Sequence, residues 1–152
     1  MVDFDEKFMA EAIRQAKKAG AMDEVPVGAV IVRDGVIIAR GYNRRETDRM
    51  PTSHAEIIAI EKAAKKLGGW RLLGCTLYVT MEPCVMCAGA VINSRIERVV
   101  YGAPDLRFGG MGSIYSIHEG RLNHTPEVIP GVLKEECAGL LSAYFKDKRR
   151  KK

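Results

Sequence analysis

No uninterrupted apolar run in this chain of 152 residues approaches the roughly 20 that a membrane span needs. The opening, Met1 to Glu6, is acidic and lacks the apolar stretch of a secretion signal. Membrane insertion and export are not expected, and a cytoplasmic location is. Internal repeats, low-complexity blocks and linkers long enough to separate one domain from another are also missing. That leaves one domain, long enough to bury roughly two thirds of its extended surface without staples. Cysteine is sparse: four residues, with Cys84 and Cys87 only three apart. Such usage suits metal or thiol chemistry in a reducing compartment better than a disulfide framework.

Net charge is missing too, once its location is considered. The chain carries 24 basic and 19 acidic residues, of which six basic and one acidic lie in residues 146–152, so the rest holds 18 of each. A cationic terminal segment suits a phosphate backbone, where each neutralised phosphate releases a counterion. On charge alone it is equally a solvated segment that keeps the protein soluble.

Hydrophobic periodicity predicts the elements. Phe4, Phe8, Ala12, Ile13 and Ala16 mark an amphipathic helix, with Gly20 just past its end. Val27–Val32 and Val36–Gly41 form a hairpin around Asp34-Gly35. After a polar loop, Asn43–Thr52, a helix runs from His54 to Leu67 with Ile57, Ile58, Ile60 and Ala64 inward, stopped by Gly68 and Gly69. A strand at Thr76–Thr80, a helix opened by Pro83 and ending near Asn93, and a strand at Arg98–Tyr101 follow. A last strand near Glu127–Ile129 precedes a helix from about Leu133, with Leu140, Leu141, Tyr144 and Phe145 on its apolar side. Strand and helix alternate from Val36 to Tyr101, the pattern of an α/β fold with parallel strands and crossover helices. The helices starting near His54 and Cys84 then have their N-termini at the same edge of the sheet, where ligands bind in such folds.

Those two helix starts carry the chemistry-bearing residues. Cys84 and Cys87 share a helix face in a first turn, where free N–H groups and the helix dipole favour thiolates. With His54 they supply three ligands of a tetrahedral zinc site whose fourth position is open to water. Taken singly the pieces are ambiguous. Cys84-x-x-Cys87 is also a redox pair, and Ser53 to Glu56 fits a capping box in which Glu56 only holds a backbone N–H.

Together, His54-x-Glu56 and Pro83-Cys84-x-x-Cys87 resemble the signature of the zinc-dependent nucleobase deaminases. The resemblance extends to Val25–Ala29, Gly41–Arg44, Leu77–Glu82, Cys87–Ala90 and Ser94–Ile96, and is strongest to the bacterial tRNA-specific adenosine deaminases of the cytidine/deoxycytidylate deaminase superfamily. It implies a single three-layer α/β/α domain around a mixed sheet of about five strands, with a deaminase domain over 1–145 and a basic tail over 146–152. It also implies one zinc ion per subunit on His54, Cys84 and Cys87, and a homodimer. The implied reaction is hydrolysis of the wobble adenosine of a tRNA anticodon loop to inosine by zinc-activated water, with Glu56 as proton shuttle. Two thiolates cancel the charge of the ion, so water there should be less acidic than at a three-histidine site, and Glu56 and the two helix dipoles must help. The implied base pocket lies near Val27, Asn43 and Ala55, with Asp105 and Asn123 reaching flanking nucleotides and Phe145 available for stacking. No nucleotide cofactor is implied.

On the residues alone, Asn43 is also a plain turn residue and Val27 also plain sheet core. His118 and His124 read as surface loop residues, His124 being a candidate for RNA contact. Cys75 and Cys137 read as buried small hydrophobes, and Gly109, Gly110 and Gly112 as a flexible turn. The same zinc chemistry serves a free guanine or cytosine/cytidine deaminase. A noncatalytic zinc-stabilised RNA-binding module, with Glu56 only a cap, is the reading from outside enzymes.

Overall fold

A computed structural model describes residues 3–151. Met1 and Val2 of the acidic opening, and Lys152 of the basic tail, lie outside the described residues. The elements are α1 (Phe4–Ala21), β1 (Gly28–Arg33), β2 (Val36–Tyr42), α2 (Arg45–Asp48), α3 (Ala55–Leu67), β3 (Cys75–Met81), α4 (Val85–Asn93), β4 (Arg98–Ala103), a 3-10 turn (Ile117–Glu119), β5 (Glu127–Ile129) and α5 (Lys134–Arg150).

The strands form one sheet in the order β2-β1-β3-β4-β5. β1 is antiparallel to both neighbours, and β3, β4 and β5 are mutually parallel. The expected crossover from β2 through α3 to β3 is present, but the hairpin inserts β1 between those two parallel strands. The hairpin turns tightly because Asp34 and Gly35 both take positive φ, 51° and 75°, as a two-residue I′ turn requires. Side chains then alternate between two cores. Ile31, Leu77, Val79 and Val99 face α3 and α4, while Val30, Val32, Tyr78 and Val100 face α1 and α5. The result is the expected α/β/α layering, and each fully buried aliphatic side chain contributes about 1.5–3 kcal/mol. Among the described residues no helix is long and apolar enough to cross a membrane.

Some packing differs from the periodicity. The buried side of α3 is Ala55, Ala59 and Ala63, with Glu56, and the isoleucines Ile57, Ile58 and Ile60 are only half-buried. The cause lies on β2, where a Cβ on Gly41 would stand 2.6 Å from the Ala55 carbonyl. The helix lies too close to the strand for a branched side chain between them. Phe4 is exposed rather than inward, and α1 continues past Gly20 to Ala21. Pro83 lies before α4, whose N-cap is Cys84. The loop after Tyr42 contains a short helix, α2, whose first turn is capped by the buried Glu24 carboxylate through the N–H groups of Glu46 and Thr47, at 3.1 and 2.7 Å.

Candidate active site

β2 and β3 both end at one edge of the sheet, and α3 and α4 start there, with His54 and Cys84 as their N-caps. The sequence motif thereby becomes a spatial cluster. His54 Nδ1 lies 3.7 Å from Cys84 Sγ and 3.6 Å from Cys87 Sγ, and the three ligand atoms all fall within 4.8 Å of one another. A tetrahedral site with Zn–S of about 2.3 Å and Zn–N of about 2.0–2.1 Å has an N···S edge of about 3.6 Å. The spacing fits zinc, and so does the donor set. Hydrogen bonds from the Cys87 thiol and then from His54 pull the Cys84 thiol down to about 4. Sharing that proton with Cys84, together with burial, pushes Cys87 up. Two thiolates this close repel each other, and a divalent cation between them removes that penalty. All four cysteines are free, and Cys75 and Cys137 are buried in the cores as expected.

Glu56 is 4% exposed, in the first turn of α3. Burial pushes its carboxyl up to about 7, the Cys84 charge adds to the rise, and its own backbone N–H and His54 oppose it. A cation bound in the ligand cluster would oppose it as well. The capping box of Ser53 and Glu56 is not formed, since the N-cap of α3 is His54, with no side-chain cap bond. Glu56 instead faces the same groove as His54 and Cys84.

That groove has a volume of about 1390 Å³, above the roughly 300–1,000 Å³ usual for a small-ligand site. Val27, Asn43 and Ala55 lie in its wall, as do Asp105 and Phe145. Asn43 is held by two backbone bonds, its Nδ2 donating to Val25 O at 3.2 Å and its Oδ1 accepting from Arg45 N at 3.2 Å. Asp105 Oδ1 accepts the N–H groups of Arg107 and Phe108 at 3.0 and 3.1 Å, turning the loop. Asn123 does not join them: it lines a separate shallow depression with Asn93, Arg95 and Leu122.

Arg45, Arg107 and Phe108 are groove residues that no motif announces, whereas Lys148 and Arg149 belong to the expected basic segment and Phe145 is the expected stacking residue. Arg45, Arg107, Lys148 and Arg149 give the wall positive charge, and Phe108, 68% exposed, and Phe145, 44% exposed, give it open ring faces. The basic segment is helical as far as Arg150, where α5 ends. It is docked by Lys148 Nζ at 2.7 Å from Asp23 Oδ2 and by the Tyr144 hydroxyl donating to Asp23 O at 3.1 Å. Glu82, buried immediately before Pro83-Cys84, is a further unannounced residue. Its signals are an acid closing the run Leu77–Met81 and a place in the stretch Leu77–Glu82 that carries the family resemblance, neither of which says that it is buried.

Two loop expectations need correction. Gly109 and Gly110 do not form a free turn: Gly109 bridges to Cys84, and Gly110 N–H donates to Pro83 O at 2.8 Å. His118 and His124 are half-buried rather than fully exposed, and His124 Nε2 lies 2.6 Å from Ile96 O.

Comparison with known proteins agrees with this geometry. Residues 2–103 match the cytidine and deoxycytidylate deaminase zinc-binding region. The chain is 55% identical over 149 residues to a tRNA-specific adenosine deaminase of Bacillus subtilis (strain 168), covering 97% of this chain and 92% of that one. A structure solved in work on A-to-I editing by tRNA:A34 deaminases at the wobble position of transfer RNA is 44% identical with a TM-score of 0.87, covering 89% of this chain and 99% of that one. A guanine deaminase from Nitrosomonas europaea shares the fold at a TM-score of 0.80 but only 29% identity, covering 91% of this chain and 83% of that one. With zinc-ligand spacing, matched region and near full-length identity all in agreement, the chain belongs to the tRNA-specific adenosine deaminases of the cytidine and deoxycytidylate deaminase family.

Proposed function

We propose that the protein hydrolyses adenosine to inosine at position 34 of a tRNA anticodon loop, releasing ammonia. The observation that carries this reading is the placement of the His54, Cys84 and Cys87 cluster and buried Glu56 in a groove walled by cations and open aromatic rings. A free base needs neither the groove's size nor that wall, whereas a splayed single-stranded loop uses both.

Zinc held by His54 Nδ1 and the two thiolates would act as a Lewis acid that acidifies water. Glu56 takes one proton from the attacking water and delivers it to the N1 ring nitrogen, then takes the second from the new C6 hydroxyl and delivers it to the amine, so that C6=O forms as the C6–N bond breaks and ammonia leaves. Its place in the first turn of α3, facing the same groove as His54 and Cys84, suits Glu56 to move protons between water and base. Asn43, fixed by its two backbone partners, keeps one N–H and one lone pair for the polar edge of the base. Val27 and Ala55 bound the base on its apolar side. Asp105 contacts a flanking nucleotide and Phe145 stacks on it, whereas Asn123, in its separate depression, would meet only RNA that extends beyond the groove.

In this reading residues 1–145 form the deaminase domain and 146–152 a basic segment against the RNA backbone. The enzyme is a cytoplasmic homodimer, in which a second copy packs beside Val85 and Met86, 45% and 36% exposed at the groove wall, and extends that wall. Sedimentation checks that state. The function is tested by incubating zinc-loaded protein with an anticodon stem-loop, with free adenine, guanine and cytosine, and with their nucleosides, and measuring ammonia and inosine. Inosine formed only from the stem-loop is expected; ammonia from guanine or cytidine instead would replace this reading with a small-substrate deaminase.

A further inference from the structure

Glu82 is 2% exposed and all its partners are donors from one loop. Its Oε1 accepts the Asp105 N–H at 3.1 Å and the Ser113 hydroxyl, and its Oε2 accepts the N–H groups of Met111 and Ser113 at 3.1 and 3.0 Å. A Cβ on Gly109 would overlap the same carboxylate, so the loop wraps it closely. The loop supplies Asp105, Leu106, Arg107 and Phe108 to the groove wall. Its far side is tied to the start of α4 through Gly110 and Pro83. Burying a carboxylate without a cation is costly, and a pair of apolar side chains would join strand to loop more cheaply. What the carboxylate adds is direction: four donors from three loop residues converge on two oxygen atoms, which fixes the loop before a ligand arrives.

We infer that Glu82, acting with Ser113, is a positioning residue that holds the Asp105–Ser113 loop in the shape the RNA meets. This rests on the proposed function, because the loop matters for affinity only if a polynucleotide lies along it. Glu82 thus differs from its neighbour Cys84: changes at Cys84 act on metal and turnover, and changes at Glu82 act on substrate binding.

The test uses full-length, zinc-loaded Glu82→Gln, Ser113→Ala and the double variant. Three quantities are measured: zinc content, amide exchange at Asp105, Met111 and Ser113, and kcat and KM for an anticodon stem-loop. Glu82→Gln should keep its zinc, speed exchange at the three amides about tenfold or more, and raise KM about tenfold with kcat changed less than about threefold, the size expected on losing hydrogen bonds to a charged group. Ser113→Ala should raise KM about threefold, and the double variant should be no worse than Glu82→Gln, since the two act as one unit. Unchanged exchange in Glu82→Gln would overturn the clamp, and zinc loss or a kcat defect at constant KM would overturn its positioning role. If Glu82→Gln does not fold, Ser113→Ala decides alone: faster exchange with a raised KM upholds the inference, and wild-type behaviour refutes it. Wild-type protein that makes no inosine from the stem-loop would defeat the functional reading, while the exchange measurement still judges the clamp.

Discussion

At the floor of the groove the functional atoms hang from the first turns of two helices, whereas at its mouth they sit on a loop and on the last turns of a third. His54 and Glu56 are set by α3, which the absent side chain of Gly41 lets lie against β2, and Cys84 and Cys87 are set by α4. Arg107 and Phe108 extend from the loop after β4, and Phe145 and Arg149 from α5, with both rings substantially exposed. Bond-making needs atoms held within about half an ångström, which rigid elements supply. Contact with a flexible polynucleotide needs reach and charge, which exposed side chains supply better. The same groove thus divides into a floor that governs turnover and a mouth that governs affinity.

The largest effect should come from the floor. Glu56→Ala should lower kcat by about 10²–10⁴, the usual contribution of a positioned proton shuttle, with zinc content and stem-loop affinity near wild type. A variant that keeps substantial turnover would show that Glu56 only fills space, and the chemical half of the division would fall. At the mouth, Phe145→Ala should leave kcat nearly intact and weaken stem-loop binding by about 1–3 kcal/mol, the value of one base stacked on an aromatic ring. Equal losses in kcat and in affinity would mean that the α5 end also orients the reacting base, so floor and mouth would not be separable.

This division also explains what could be read from the chain. The ligands were legible because one imidazole and two thiolates at two helix starts form a chemical pattern that few other roles require. The elements were legible from periodicity and the parallel strands from the alternation of strand and helix, while the α/β/α layering came from the family resemblance. The position of β1 was not legible, since pairing partners depend on contacts far apart in sequence. Periodicity misjudges the inward face of α3 because alanine carries a weak hydrophobic signal next to isoleucine, while the close approach at Gly41 decides which fits. Glu82 and the loop cation Arg107 were hidden for a different reason, whereas the α5 cations stood out as a terminal cluster whose place in the groove was left open. A charged residue reads as solvated until the fold shows whether it is buried against backbone donors, as Glu82 is, or lines a groove, as Arg107 and Arg149 do.

The smallest expected effect tests the mouth most finely, because it separates two adjacent cations of α5. Both Lys148 and Arg149 line the groove, but Lys148 Nζ lies 2.7 Å from Asp23 Oδ2. A phosphate approaching Lys148 must compete with that carboxylate, so less of its charge is available to release a counterion. Arg149 projects from the same helical turn without that competitor among the described residues. Stem-loop affinity measured across a salt series should therefore lose about 0.7 of its log-log slope in Arg149→Ala, the value for one single-stranded phosphate, and clearly less in Lys148→Ala. Asp23→Asn should free Lys148 and steepen the slope. Equal slopes for all three variants and wild type would mean that the end of α5 is solvated and that the affinity of the mouth comes from its rings and its loop.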